Sequence, residues 1–131
     1  MEDNNISHWL SKFFVLHFIV DLTFAIPLFF FPISFLTFFG WQTVDPVMSR
    51  LVAAALFGIG IESWLGRNSS REAFKSMLNL KIIWSIAAIA GFLIAIIQGT
   101  ANYIIWIVLL TFIAFNILWV YWRIRLNEKY C

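Results

Sequence analysis

Four long apolar stretches, separated by short polar or turn-forming segments, dominate the pattern of hydrophobic and polar positions along the chain. Each stretch is long enough to cross the ~30 Å hydrocarbon layer of a bilayer as an α-helix that rises ~1.5 Å per residue. The pattern therefore predicts an all-α, polytopic membrane protein, a four-transmembrane-helix bundle that forms one domain over residues 1–131. The predicted spans are about residues 9–31, 46–65, 77–98 and 101–122.

A shorter apolar segment, residues 32–41 with the sequence PISFLTFFGW, follows the first span. It is too short to cross the membrane, and we expect a short helix that lies in the interface. Pro27 and Pro32 predict a kink or a stop near the end of the first span, because proline removes a backbone donor and clashes with the preceding turn. Gly40 is expected to end the short helix.

The second and third spans carry clear signals for helix starts. Asp45 followed by Pro46 matches an N-cap residue with proline at the first helical position. The segment GRNSS at residues 66–70 is rich in turn-forming and capping residues and predicts a loop. Ser70 is expected near the start of the next helix, whose first turns then precede its apolar part.

Composition supports a membrane protein and excludes several other classes. Hydrophobic residues make up 62% of the chain and charged residues 12%, whereas a soluble domain carries about 25% charged residues. The net charge of +2 is too small to indicate nucleic-acid binding. The single cysteine, Cys131, excludes an internal disulfide and a cysteine-based metal cluster. No cofactor and no metal site is predicted.

Lysine and arginine positions predict the orientation in the membrane. With four spans, one side carries all but one of the nine basic residues, and the other side carries Arg50 alone. By the positive-inside rule, the basic side, which includes both termini, faces the cytoplasm. We therefore expect a multi-pass protein of a prokaryotic cytoplasmic (inner) membrane. The residues on the basic side are Lys12, Arg67, Arg71, Lys75, Lys81, Arg123, Arg125 and Lys129.

Polar residues inside the predicted spans are the candidates for function: His17, Asp21, Glu62, Lys81 and Asn116. Counted from the helix ends, they fall in the cytoplasmic half, with Asp21 near the midplane. His17 and Asp21 are four residues apart and share a helix face. The hypothesis is a polar cavity in which Glu62 pairs with Lys81 and Asp21 orients His17. Asn116 would add hydrogen bonds, and the cavity would bind or transport a small solute, a lipid or a proton.

The same residues can instead have purely structural roles. Glu62 and Lys81 can form an ion pair that fixes a helical hairpin, and His17 can donate to a backbone carbonyl. Asn116 can join two helices by a hydrogen bond. Asp21 is the hardest to explain in this way, because a carboxylate near the midplane cannot extend to the interface.

Other functions and partners also stay open. Alanine and glycine recur every four residues around Gly58 and Gly91, which predicts packing surfaces for the protein's own helices or a partner's helices. One alternative is therefore a non-catalytic accessory subunit of a membrane complex. Another is a lipid-modifying enzyme whose carboxylates act as acid and base. A non-enzymatic function is favoured, because the HExxH, GxSxG and Walker motifs are missing. The expected partners are the lipid bilayer, a small-molecule or lipid ligand and further copies of the chain.

The central part of the chain resembles small four-helix membrane proteins of bacteria and archaea. The resemblance lies in AIPLFFFP at the end of the first span, in FFGW, and in DPVMSR leading into LVAAALFGIGIESWLGR. It covers most of the chain and implies an architecture but no activity. Small multidrug transporters carry an essential carboxylate in their first helix, and Asp21 could be the corresponding carboxylate here. Their carboxylate is a glutamate, however, and the residues that flank Asp21 do not match.

Overall fold

A computed structural model describes residues 2–128, with side chains from Asn5 onward, so Lys129 and Cys131 lie outside it. The described residues are all-α, as predicted, and contain five helices and no strand. Four of the helices are long and apolar enough to cross a membrane. The chain divides into two compact units, residues 1–69 and 70–131. The helices are α1 (Glu2–Phe30), α2 (Pro32–Phe38), α3 (Pro46–Leu65), α4 (Arg71–Ile97) and α5 (Ile105–Asn127).

The first unit is an antiparallel pair of long helices, α1 and α3, with α2 between them in the chain. Aromatic contacts follow the pair along its length, with Phe18 against Trp64 (ring centroids 5.2 Å apart) and Phe29 against Phe57 (5.8 Å). One face of α1 is buried at the three- and four-residue spacing of a packed helix. Its buried residues are Leu10, Phe14, His17, Asp21, Ala25 and Leu28.

The two long helices of the first unit approach each other closely at Gly60. An ideal Cβ on Gly60 would lie 2.8 Å from Asp21 Cβ and 3.1 Å from Leu22 Cδ1. Glycine at this position lets the backbone of α3 come against α1, as small residues do in membrane proteins. This approach holds Asp21 against the backbone of its neighbour helix.

The start of α3 and the end of α2 are closed by the residues that the sequence predicts. Asp45 caps α3, and its Oδ1 accepts hydrogen bonds from the amides of Val47 (2.8 Å) and Met48 (3.2 Å). At the end of α2, Gly40 has a φ of 89°, and its N–H donates to the carbonyl of Thr37. A left-handed glycine with this bonding closes helices commonly.

Arg50 joins the two long helices at the opposite end from the α3 C-terminus. Its Nε donates to the carbonyl of Phe29 over 3.1 Å. The last carbonyls of a helix have no partner within the helix, and a cation there also interacts favourably with the helix dipole. Arg50 therefore acts as a C-cap for α1.

The second unit is the antiparallel helix pair α4 and α5. Ser70 caps α4, its Oγ accepting from the amide of Ala73 over 3.4 Å. At this end Arg123 Nε donates to Asn79 Oδ1 over 2.8 Å. Farther along, the rings of Phe92 and Phe112 lie 5.3 Å apart. The start of α4 therefore lies beside the end of α5, and the end of α4 lies beside the start of α5.

The turn between α4 and α5 is longer than the sequence pattern predicts. Gly99 has a φ of 68°, and the amide of Thr100 donates to the carbonyl of Ala95 over 3.0 Å. Asn102 Oδ1 then accepts from the amide of Ile104 over 2.8 Å. Because residues 100–104 are used in this turn, α5 begins at Ile105 and not near residue 101.

Replacing Gly99 by alanine is expected to destabilise the protein by about 1–2 kcal/mol, the cost of a left-handed conformation for a residue with a Cβ. Gly91→Ala is the matched control. Within the described part of the chain no neighbouring atom lies within 4 Å of the ideal Cβ of either glycine, and of the two only Gly99 has a positive φ. Denaturant unfolding in detergent micelles measures both variants. Equal stability of the two would contradict the strained turn.

Candidate functional site

His17, Asp21 and Ser63 form a buried polar cluster, termed the His–Asp cluster, between α1 and α3. His17 Nδ1 lies 3.2 Å from Asp21 Oδ2 and 3.4 Å from Ser63 Oγ. The residues are 7%, 6% and 0% exposed, respectively. His17 and Asp21 lie within the candidate span Asn5–Phe30, so the cluster is surrounded by apolar helix.

The hydrogen bonds in this cluster indicate which nitrogen of His17 carries a proton. Ser63 Oγ also lies 2.7 Å from the carbonyl of Ile59, to which it donates its only hydrogen. Its oxygen therefore faces His17 Nδ1 as an acceptor, as does the carboxylate of Asp21. We assign the neutral-ring proton to Nδ1, because the Ser63 oxygen that faces it can only accept.

The His–Asp cluster pairs a side chain that can carry a positive charge with one that can carry a negative charge, where either charge alone would be costly. An ionised aspartate near the centre of a membrane helix costs about 2.5–3.5 kcal/mol on insertion scales. A protonated His17 at 3.2 Å from Asp21 would offset part of that cost by direct attraction. The pair can therefore hold a proton inside the span without leaving one uncompensated charge.

A second polar cluster, termed the Lys cluster, lies in the second unit between α4 and α5. Lys81 is 1% exposed and its Nζ lies 5.6 Å from the ring centroid of Trp119, which is fully buried. Asn116 Nδ2 donates to Ser85 Oγ over 2.8 Å, and Ser85 Oγ donates to the carbonyl of Lys81 over 2.8 Å. Asn116 therefore joins the two helices, the structural role that the sequence left open for it.

The predicted site residues thus fall into two clusters that belong to different units. His17 and Asp21 are together in the first unit, as their spacing predicts. Lys81 and Asn116 are both in the second unit, where Ser85 connects them. Glu62, half-buried on α3, belongs to the first unit. Its predicted ion pair with Lys81 stays a prediction.

Sequence reasoning missed Ser63. The Gly58 stripe stays a predicted packing surface for the protein's own or a partner's helices, whereas Gly60 is the glycine of α3 that lies against α1 within the described chain. The buried small residues on α3 include Ala53, Gly60 and Ser63, which face α1. Gly58, on the stripe predicted to pack, has no atom of the described chain within 4 Å of its ideal Cβ. Both faces of α3 carry small residues, and the hydroxyls of Ser49 and Ser63 are the signal that could have marked the buried face.

The two clusters contain few groups that bind metal ions. Within residues 2–128, no three His, Cys, Asp or Glu side chains are placed to hold one ion together. Comparisons of the chain with protein-family models, with curated proteins and with solved structures find no match.

Proposed function

We propose that this small integral membrane protein binds a proton inside its first span and passes it across the bilayer. The observation that carries the proposal is the 3.2 Å contact between His17 and Asp21, both buried within an apolar helix. A histidine changes charge between about pH 5 and pH 8, and the neighbouring carboxylate supplies the balancing charge. An intramembrane ionisable pair of this kind is typical of proton relays.

The groups packed around the His–Asp cluster are compatible with proton binding. From α3, Ser63 faces His17 as an acceptor, and Glu62 is its neighbour in the chain. The short helix α2, which lies between α1 and α3 in the chain, has the sequence PISFLTF and contains no ionisable side chain. Asp21 is therefore the expected counter-charge for a protonated His17. A proton also needs less space than the solute or lipid that the sequence left open.

Hydrolysis by an activated serine is disfavoured, although serine, histidine and aspartate are together. In a catalytic triad the serine and the aspartate bind opposite nitrogens of the histidine ring. Here Ser63 Oγ and Asp21 Oδ2 both face Nδ1. Ser63 also donates its hydrogen to the carbonyl of Ile59, so His17 cannot remove that proton as a base without breaking this bond.

Proton flux into liposomes that contain the purified protein tests the proposal. A potassium diffusion potential set by valinomycin would drive protons inward, and a trapped pH-sensitive dye would report the flux. We expect flux above that of protein-free vesicles for the wild type and for His8→Gln, because His8 is exposed. His17→Gln is expected to reduce the flux to the protein-free rate. Wild-type flux equal to that of empty vesicles, or full flux in His17→Gln, would overturn the proposal.

A further inference from the structure

One end of the second unit carries a cluster of cations, termed the basic end. Arg71 and Lys75 lie in the first two turns of α4, and Arg123 and Arg125 lie in the last two turns of α5. The two helices are tied there by bonds from Arg71 to the carbonyl of Leu126 and from Arg123 to Asn79. The carboxylates near this end are Glu72 and Glu128, bonded to Lys75 and Arg125 respectively. Among the described residues of this end, four cations against two carboxylates leave it positive.

Two side-chain hydrogen bonds hold Arg123 at this end. Its Nε donates to Asn79 Oδ1 over 2.8 Å and its Nη1 donates to Asn127 Oδ1 over 2.6 Å. Both partners are neutral amides, and within residues 2–128 no carboxylate is bonded to this guanidinium. Further N–H donors, including both on Nη2, are not used by these two bonds. Arg123 thus presents a fixed positive charge with donors for an anion.

The depth of the basic end matches the headgroup region of a bilayer. Residues 105–122 of α5 rise about 27 Å at ~1.5 Å per residue, close to the ~30 Å hydrocarbon layer. Arg123 follows directly. Tyr121 is half exposed and lies 6.0 Å from the guanidinium of Arg125. Aromatic and basic residues together at a helix end are typical of the membrane interface.

We propose that the basic end binds the phosphate headgroup of an anionic phospholipid, with Arg123 as the central contact. A guanidinium binds phosphate oxygens through two parallel hydrogen bonds, and the neighbouring cations add attraction at headgroup depth. The site lies wholly within the second unit. This lipid site is therefore independent of the proton site proposed at His17 and Asp21.

Native mass spectrometry of the full chain, released from mixed phosphatidylglycerol and phosphatidylcholine vesicles, tests this inference. We expect bound phosphatidylglycerol to be enriched over its share of the vesicle. One basic residue at a membrane surface contributes about fivefold in binding of anionic lipid. Arg123→Gln is accordingly expected to reduce the enrichment about fivefold. Arg123→Lys keeps the charge and is expected to retain part of it, which separates binding from a failure to fold.

Arg67→Gln is the matched control, because Arg67 belongs to the first unit, where its guanidinium lies 3.9 Å from the ring of Trp64. We expect this variant to keep the enrichment. Equal loss in Arg67→Gln would show general charge attraction and would overturn the site. A second experiment compares the melting temperature of the protein in phosphatidylcholine vesicles after addition of inorganic phosphate or of phosphatidylglycerol. If inorganic phosphate raised the melting temperature as much as phosphatidylglycerol does, the site would bind free phosphate, and the lipid proposal would be wrong.

Discussion

Replacing Gly60 by alanine is expected to destabilise the first unit by about 1–3 kcal/mol, the usual cost of forcing an extra group into a packed site. The new Cβ would lie 2.8 Å from Asp21 Cβ, a distance that real contacts do not show. Asp21 Cβ is fixed to the backbone of α1, so the helices themselves must separate. Unfolding by sodium dodecyl sulfate, titrated into mild detergent, measures the change in the free energy of unfolding.

Gly58→Ala is a close control for that experiment. Gly58 lies on the same helix two residues earlier, and its ideal Cβ has no atom of the described chain within 4 Å. Alanine favours a helix over glycine by about 1 kcal/mol, so this variant is expected to be unchanged or more stable. If both variants lost stability equally, the close approach of α1 and α3 at Gly60 would be wrong. Gly60→Ala should also disturb proton flux, because it moves Asp21.

Replacing Asp21 by asparagine is expected to abolish proton flux while leaving the fold nearly intact. The two side chains have almost the same shape, so the packing against Gly60 is kept and stability should change by no more than about 1 kcal/mol. The carboxylate that balances a charged His17 is lost, and a protonated ring would then be buried 3.2 Å from a neutral amide. The liposome assay measures the flux, and the detergent titration measures stability.

Asp45→Asn makes the same chemical change outside the His–Asp cluster. Asp45 caps α3 through its Oδ1, and asparagine caps helices as well as aspartate does. This variant should therefore conduct like the wild type. Full flux in Asp21→Asn would show that His17 needs no carboxylate at position 21, and the paired site would have to be abandoned in favour of His17 alone.

Much of the secondary structure follows from the sequence because its signals are local. The apolar runs set the four long helices, Asp45 with Pro46 sets the start of α3, and Gly40 ends α2. The start of α5 was misplaced because Asn102 binds the chain in a turn. An asparagine three residues after a glycine does not reveal where the turn ends and the helix begins.

The candidate site follows from the sequence only where its residues share one helix. His17 and Asp21 were paired by their four-residue spacing, which is a property of α1 alone. Ser63 was missed because its position depends on how α3 is rotated against α1. That rotation is decided by contacts such as Gly60 against Asp21, and stripes of small residues occur on more than one face of α3.

The bond from Arg50 to the carbonyl of Phe29 bears on how the protein is made. Both residues leave the ribosome before α4 does, so the first hairpin can close in the membrane while the rest of the chain is still being synthesised. A bond at the α1 C-terminus fixes how the two helices align along the rest of their length, including the His–Asp cluster. Biogenesis of the first unit can thus proceed from its connecting end.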